Sequence, residues 1–448
     1  MIQTSVIFLF LNYCLGKKVD MSMVVAKIDW RQLYNFASRQ ALLGFCFDGI
    51  ERLTKEFSEE LKQNSMGRDL LMTWMGAAQQ IRRQNMKVNA VAGKLYSKFR
   101  EDGLRCCILK GQGNALMYPN PYSRTPGDID VWVNASREDI TEYAKTHFEI
   151  GDDIRFHHLE TSFDGVPVEL HFFPGIMNNP IYNARLQKWF KRNADLQCSN
   201  VVSLPDGIGE IAIPTTAFNV IYQLTHLYHH FFDEGIGMRQ IIDYYYVVCD
   251  FYKVYQKSSN PSVSLSKGSS TFSPSPSSSG SGDVTAPSRC SEPLRSKDGG
   301  PSKVSPDCAG WDRLTIEGDN SAGSTTAVTS SASTALVVVQ RELKYLGLWK
   351  FAGAVMYVLK EVLGLSEDKM IVPMDEKRGR LLLAEILDGG NFGRHFTKYA
   401  GFTHQSMGKK YFLKIWRNMH FVRYYPAEAL SEPIFRTWHF FWRMKNKR

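Results

Sequence analysis

Two aspartates separated by one apolar residue suggest the chemistry of this chain. Asp128 and Asp130 lie in the alternating run Gly-Asp-Ile-Asp-Val-Trp-Val, which is typical of a β-strand. Residues two apart in a strand point to the same face, so the two carboxylates would lie side by side. Like charges this close repel, and a divalent cation, usually Mg²⁺ where carboxylates and phosphates meet, relieves the repulsion. The pattern predicts the metal-binding edge of a phosphoryl- or nucleotidyl-transfer site, with a solvated strand end that holds no metal as the alternative.

A third acid, Glu169, lies in a second strand-prone run. The run 166–173 reads Val-Pro-Val-Glu-Leu-His-Phe-Phe, and Asp164-Gly165 before it is a hairpin signal. A single Glu among apolar residues needs a partner, because an unpaired buried carboxylate is costly. If this strand lies beside the two aspartates, Glu169 completes a three-carboxylate cluster, and a salt bridge or an edge-strand charge is the alternative. His171 shares the face of Glu169 and is interpreted as an ordinary hydrogen-bonded histidine.

The turn upstream of the aspartates carries candidate phosphate-binding groups. An apolar run, 106–109, reaches the turn Lys110-Gly111-Gln112-Gly113, and a loop with Arg124 follows. Backbone N–H groups in such a turn can hold phosphate oxygens, and a lysine adds a point charge. The candidate nucleotide-binding residues are therefore Lys110, Gly111, Gln112 and Arg124.

The order of these features resembles the DNA polymerase β-like nucleotidyltransferase superfamily: strand, Lys-Gly turn, helix, Gly-Asp-x-Asp strand, helix, and a strand with a single acid. Within it, the chain is similar to the bacterial family of uncharacterised nucleotidyltransferases over most of residues 29–445, apart from one insertion. The segments that carry the likeness are Leu109-Lys110-Gly111, Tyr118-Pro119, Arg124, Gly127-Asp128-Ile129-Asp130, Val168-Glu169-Leu170-His171, His226-Leu227-Tyr228-His229-His230, Gly235-Ile236-Gly237-Met238-Arg239-Gln240 and Asp243. The resemblance implies an α+β fold, with a small mixed β-sheet as the metal-dependent transferase core and helices flanking it.

The implied reaction transfers a nucleoside monophosphate from an NTP, with ATP as the expected donor, to a hydroxyl-bearing acceptor that the sequence does not identify. Asp128 and Asp130 would hold one or two Mg²⁺ (or Mn²⁺) ions, and Glu169 would act beside them as ligand or base. These three acids are thus the candidate catalytic residues and the candidate metal ligands.

Two alternatives stay open. The superfamily's usual turn is Gly-Ser or Gly-Gly, whereas this turn is Lys-Gly-Gln-Gly, and the loop from Gln112 to Asp128 is longer than in the better-known members. This departure allows a catalytically inactive module that only binds a nucleotide. An RNA-directed nucleotidyltransferase is the second alternative, and it needs a continuous basic groove.

Composition and charge are consistent with an anionic substrate in a reducing compartment. The 448 residues carry a formal charge of +9, from 54 basic and 45 acidic side chains. Eight cysteines without a repeating Cys-x-x-Cys spacing favour a cytoplasmic protein over a disulfide scaffold or a zinc site. The apolar run 5–15 matches neither a secretory signal nor a membrane span. It is interpreted as an extension, with Met21 or Met23 as an alternative start.

The predicted organisation has six parts. They are an N-terminal extension (1–22), a helical region (23–103), the nucleotidyltransferase core (104–204), a second helical region (205–256), an insertion (257–334) and a helical C-terminal region (335–448). The insertion is rich in Ser, Gly, Pro and Thr, and such a segment is predicted to be disordered because it cannot bury enough apolar surface. The sequence leaves the oligomeric state open.

Three further clusters have an expected role. His226, His229 and His230 are interpreted as structural rather than as zinc ligands, because aromatic residues crowd the same segment and no matching acid or Cys set accompanies them. Arg239 and Asp243 are one helical turn apart and are expected to pair. Core packing is favoured for the aromatic side chains of the basic C-terminal segment, over a membrane-surface face or a base-stacking surface.

Overall fold

The computed structural model describes residues 2–259, 332–396 and 407–446. Most of the predicted insertion (257–334) lies outside the described residues. The described part contains sixteen α-helices and seven β-strands, and the mixed α+β class expected from the sequence is confirmed.

The helices fall mainly before and after the sheet, with two between its strands. They are α1 (Ile2–Cys14), α2 (Ser22–Val25), α3 (Trp30–Arg39), α4 (Leu43–Glu56), α5 (Ser58–Gln63), α6 (Arg68–Glu101), α7 (Gly111–Ala115), α8 (Arg137–His147), α9 (Pro180–Ser199), α10 (Thr216–Asp233), α11 (Met238–Ser259), α12 (Ala332–Tyr345), α13 (Trp349–Leu363), α14 (Glu376–Gly389), α15 (Met407–Met419) and α16 (Pro426–Asn446). Short 3-10 helices occur at Pro121–Ser123, Pro205–Gly207, Glu367–Lys369 and Asn391–Gly393.

A five-stranded mixed sheet forms the centre of the molecule. The strands are β1 (Cys106–Leu109), β2 (Ile129–Val133), β3 (Glu149–Ile154), β4 (His158–Phe163), β5 (Val166–His171), β6 (Val201–Ser203) and β7 (Glu210–Ala212). The large sheet has the order β1-β2-β5-β4-β3, and β6 and β7 form a separate two-stranded sheet. Within the large sheet only β2 and β5 pair in parallel, and its other pairs are antiparallel.

Local sequence signals account for two of the elements around the sheet. Asp164 and Gly165 join β4 to β5 with φ angles of 49° and 68°, the two positive values that a tight hairpin turn requires, so the predicted hairpin is confirmed. The hydroxyl of Ser136 accepts the backbone N–H of Asp139 at 3.1 Å, which caps the start of α8.

The two faces of the large sheet differ at β1 and β2, where alternate residues of each strand enter different cores. Ile108, Val131 and Leu170 pack with side chains of α6 and α8, including Leu95. Trp132, from the other face of β2, stacks on Phe218 of α10 at 6.0 Å between ring centroids. The face of β2 that carries Trp132 is therefore the face that is directed toward α10.

The N-terminal helix α1 is part of the larger core. Phe10, Leu11 and Tyr13 are buried, and the Tyr13 hydroxyl donates to Glu56 at 2.8 Å. The side chain of Asn12 donates to the carbonyl of Val362 in α13 at 2.8 Å. These contacts join the first helix to α4 and α13.

We expect Phe10→Ala to lower the free energy of unfolding by about 3–5 kcal/mol, because a fully buried phenyl ring is replaced by a cavity. Leu9→Ala is the matched control, since Leu9 is 43% exposed and its truncation should change stability by less than about 1 kcal/mol. Urea unfolding of the full chain measures both. Equal effects for the two variants would contradict the packing of α1.

The aromatic side chains of the C-terminal helices divide between the core and the surface. Phe421 is buried, as core packing requires, whereas Trp416, Trp438 and Phe441 are 53%, 44% and 62% exposed. The core-packing interpretation is therefore wrong for these three, because their positions on α15 and α16 lie on exposed faces. None of the helices in the described ranges combines the length and the hydropathy needed to cross a bilayer.

Candidate active site

Two parallel strands bring the predicted acids together. Asp130 of β2 lies directly opposite Glu169 of β5, and Asp128 precedes β2 by one residue. The prediction that the Glu169 strand lies beside the two aspartates is confirmed. Asp130 has the same strand parity as Trp132, so it is on the face toward α10, while Ile129 and Val131 pack against α6 on the opposite face.

The Lys-Gly turn adds a cation to the acids. Leu109, the last residue of β1, pairs with Asp130, and Lys110 follows with φ 51° and ψ −127°. A positive φ at a non-glycine residue is strained, and such strain often occurs at functional sites. The strained residue here is Lys110, and its Nζ lies 2.8 Å from Asp130 Oδ1. The turn therefore neutralises one of the predicted metal ligands.

His171 is a further member of the cluster. Its Nε2 lies 2.9 Å from Asp130 Oδ1 and 3.3 Å from Glu169 Oε2, and the ring is buried. Burial lowers the pKa of His171, but the hydrogen bonds to the two carboxylates outweigh it and raise the pKa to about 9. His171 is hydrogen-bonded, as predicted, but its partners are the predicted site residues Asp130 and Glu169. The sequence signal for this contact was the spacing of two residues between His171 and Glu169, which places both side chains on one face of β5.

The three carboxylates have different proton affinities. Burial, followed by the charges of Asp130 and Glu169, raises the pKa of Asp128 to about 7. Burial also raises the pKa of Asp130, but Lys110 and His171 lower it below its usual value. Burial raises the pKa of Glu169 as well, but the hydrogen bond to His171 and the nearby charges of His158, His171 and Lys110 together lower it below its usual value. The unrelieved like-charge repulsion is therefore concentrated on Asp128.

The cluster contains side chains that fit a divalent cation. Three sets in the described ranges place ligand atoms within 4.8 Å of one another: His157–His158–His171, Asp130–Glu169–His171 and His158–Glu160–Glu169. The second set joins two predicted ligands to His171. Carboxylates suit Mg²⁺ and Mn²⁺, and an imidazole favours transition metals. Metal binding by Asp128, Asp130 and Glu169 stays a prediction.

A cavity of about 690 Å³ opens beside the acids, and most of the predicted site residues line it. They include Asp128, Asp130, Glu169, Lys110, Gly111 and Arg124. Gln112, the remaining predicted nucleotide-binding residue, is buried away from the lining, where its side-chain amide donates to Asn89 Oδ1 at 2.6 Å. Its present contact is therefore with the neighbouring helix α6.

Arg124 lines the cavity but its guanidinium is engaged with an acid of α11. Nε and Nη2 each donate to Asp243 at 2.8 Å, and both side chains are 5% exposed. The Tyr118 hydroxyl donates to the same carboxylate at 2.7 Å. The expected Arg239–Asp243 pair is therefore wrong, because Arg124, a residue distant in sequence, donates to both carboxylate oxygens of Asp243.

Histidines of α10 form the wall opposite the acids. His226, His229 and His230 line the cavity, and Nζ of Lys110 lies 3.5 Å from His226 Nε2. Burial lowers the pKa of all three, to about 4 for His229 and about 3 for His230, so they are neutral near pH 7. Their neutral nitrogens can accept or donate hydrogen bonds to a substrate without adding charge.

The parallel β2–β5 pair, the Lys-Gly turn before it and the three acids define a nucleotidyltransferase-like core. The chain belongs to the uncharacterised nucleotidyltransferase family, whose sequence profile matches residues 26–254. The resemblance to this family stated from the sequence is thereby confirmed over residues 26–254.

Comparison with solved structures gives a weak likeness. The chain is similar to an antigenic nucleotidyltransferase-like protein from Paracoccidioides brasiliensis, with 18% sequence identity and a TM-score of 0.25, over 36% of this chain and 75% of that protein. A search of curated proteins finds no match.

Proposed function

We propose that the protein is a metal-dependent nucleotidyltransferase that transfers a nucleoside monophosphate from an NTP, with ATP as the first donor to test, to a hydroxyl-bearing acceptor. The observation that carries the proposal is the direct pairing of Asp130 with Glu169 at the wall of the cavity, with Asp128 and Lys110 beside them. Family membership supports the reaction class.

The side chains have separate roles in this proposal. Asp128, Asp130 and Glu169 would hold the divalent cation, which when bound neutralises phosphate charge and acidifies an acceptor hydroxyl. Lys110, which lines the cavity and now pairs with Asp130, would turn its ammonium group to a phosphate of the bound nucleotide. His171 holds Asp130 and Glu169 in place through its Nε2 proton.

The test uses ATP carrying a label on either the α- or the γ-phosphate, incubated with the full chain, Mg²⁺ or Mn²⁺ and a cell extract as the source of acceptor. The proposal expects the α-label on an acceptor and the γ-label in pyrophosphate, because the α-phosphorus is attacked and pyrophosphate leaves. Transfer of the γ-label would mean phosphoryl transfer and would reject the assignment.

The second candidate is a module that binds a nucleotide without turnover. One observation favours it: Lys110 and His171 both contact Asp130, so two cations already compensate a carboxylate that a metal ion would use. Under this alternative ATP binds to the protein, but neither label moves to another molecule, whether Mg²⁺ or Mn²⁺ is present. The same labelling experiment therefore separates the two functions.

A further inference from the structure

A second arginine in the cavity wall has no ion-pair partner among the residues that the structure describes. Arg239, at the start of α11, is 8% exposed and lines the cavity. Its Nη1 donates to the carbonyl of Thr125 at 3.0 Å, and its Nε is buried without a hydrogen-bond partner. Across residues 2–259, 332–396 and 407–446, no carboxylate lies at ion-pairing distance from this guanidinium, since Asp243 is engaged by Arg124.

Two buried guanidinium groups therefore lie near one carboxylate but only Arg124 pairs with it, which leaves a positive charge in excess. Burial and the nearby charge of Arg124 lower the pKa of Arg239 to about 10, although Asp243 and Asp128 act in the opposite direction. Removing a cation from water without a partner is unfavourable. An anion that entered the cavity would supply the missing partner.

Gln240, the next residue of α11, offers a second unused donor. It is 6% exposed and lines the same cavity. Its Oε1 accepts the backbone N–H of Gly237 at 2.7 Å, whereas its Nε2 is buried without a partner. Two adjacent residues that line the cavity thus each have a buried N–H group without a hydrogen-bond partner.

A loop after α14 closes this end of the cavity. Gly237 allows the loop to approach, because a Cβ there would lie 2.7 Å from the Cα of Asn391. The ring of Phe392 lies 5.5 Å from the Arg239 guanidinium, and Arg394 also lines the cavity. These loop residues lie beyond the segment that matches the family, 26–254, so this end of the cavity is built partly by the C-terminal region of the chain.

We propose that Arg239 and Gln240, with Arg394 at the rim, form a subsite for an oxyanion group, a phosphate or a carboxylate, of a substrate. The identity of that substrate rests on the proposed function: the group is either the terminal phosphate of the donor or an anionic group of the acceptor. The planar guanidinium suits either, because it can donate two parallel hydrogen bonds to an oxyanion.

The first test measures binding of inorganic phosphate to the full chain by calorimetry, without metal or nucleotide. Arg239→Met should weaken binding by about tenfold to a hundredfold, because charge-assisted hydrogen bonds are lost. Arg105→Met, which removes an exposed arginine on another surface, is the control and should bind phosphate like the parent. Phosphate binding to Arg239→Met as tight as to the parent would overturn the subsite.

The second test is the sign of the stability change in phosphate-free buffer. If the guanidinium of Arg239 only maintains the fold, its replacement should lower the stability of the protein. If it is a buried charge without an ion-pair partner, its replacement should raise the stability. We therefore expect Arg239→Met to unfold at a higher urea concentration than the parent. A lower unfolding midpoint would show a structural role and would reject the proposal.

A third measurement identifies the source of the anion. Phosphate is titrated into the protein saturated with Mg²⁺ and a non-hydrolysable ATP analogue. Continued phosphate binding would assign the subsite to the acceptor, while exclusion of phosphate, with weaker analogue binding to Arg239→Met, would assign it to the donor. The phosphate measurement needs no turnover, so a failure to detect nucleotidyl transfer would count against the proposed function and not against the subsite.

Discussion

Asp128→Asn is expected to abolish Mg²⁺-dependent ATP binding and nucleotidyl transfer while leaving the protein at least as stable as the parent. Asparagine keeps the shape of the side chain but removes the charge that a hard cation requires, and the loss of such a ligand should reduce transfer at least about a hundredfold. Stability should not fall, because burial beside Asp130 and Glu169 already disfavours the Asp128 carboxylate.

Asp130→Asn provides a contrast at the same site. Its carboxylate pairs with Lys110 at 2.8 Å and His171 at 2.9 Å, so its loss removes the ion-pair partner of Lys110 and one of the two carboxylates that His171 contacts. We expect both ATP binding and the free energy of unfolding to decrease in this variant. The Asp128→Asn and Asp130→Asn variants should therefore differ in stability, although both should lose ATP binding.

Calorimetric titration of Mg²⁺–ATP and urea unfolding measure these effects. Asp195→Asn is the matched control, because Asp195 is exposed and pairs with Arg105 at 2.7 Å on another surface. It should retain the parent's nucleotide affinity. If Asp128→Asn bound nucleotide and Mg²⁺ as tightly as this control, the assignment of the metal ligands would fail.

Asp243→Asn is expected to lower the free energy of unfolding by about 3–5 kcal/mol. The substitution removes one partner of a buried ion pair, and the charge that remains then lacks compensation. The effect should be at the upper end of this range, because the charge of Asp243 pairs with Arg124 and also acts on the guanidinium group of Arg239. Tyr118 also loses a charged acceptor.

Arg124→Met should destabilise the protein less than Asp243→Asn does. Arg239 carries a second positive charge near the carboxylate and can compensate it in part when Arg124 is absent. The exposed pair Arg105–Asp195 is again the control: Asp195→Asn should cost less than about 1 kcal/mol. Urea unfolding measures all three variants. Equal losses for Asp243→Asn and Asp195→Asn would show that burial of the pair contributes little.

Much of the sheet could be predicted from the sequence because its signals are local. The alternation around Asp128 and Asp130 defined a strand, and Asp164-Gly165 defined the turn before β5. The partners of buried charges were not predictable in this way. A helical spacing suggested that Arg239 pairs with Asp243, but Arg124, more than a hundred residues away in the chain, takes that carboxylate.

The sequence by itself indicated the nucleotidyltransferase family and predicted that the strand of Glu169 lies beside the two aspartates, because family motifs, strand periodicity and residue type are encoded within a few neighbouring positions. Tertiary structure decided that His171 and Lys110 contact Asp130. It also decided that the Nε of Arg239 is buried in the same cavity wall without a hydrogen-bond partner. The physical reason is that burial and electrostatic pairing depend on which distant segments pack together, and residue spacing along the chain does not specify that packing.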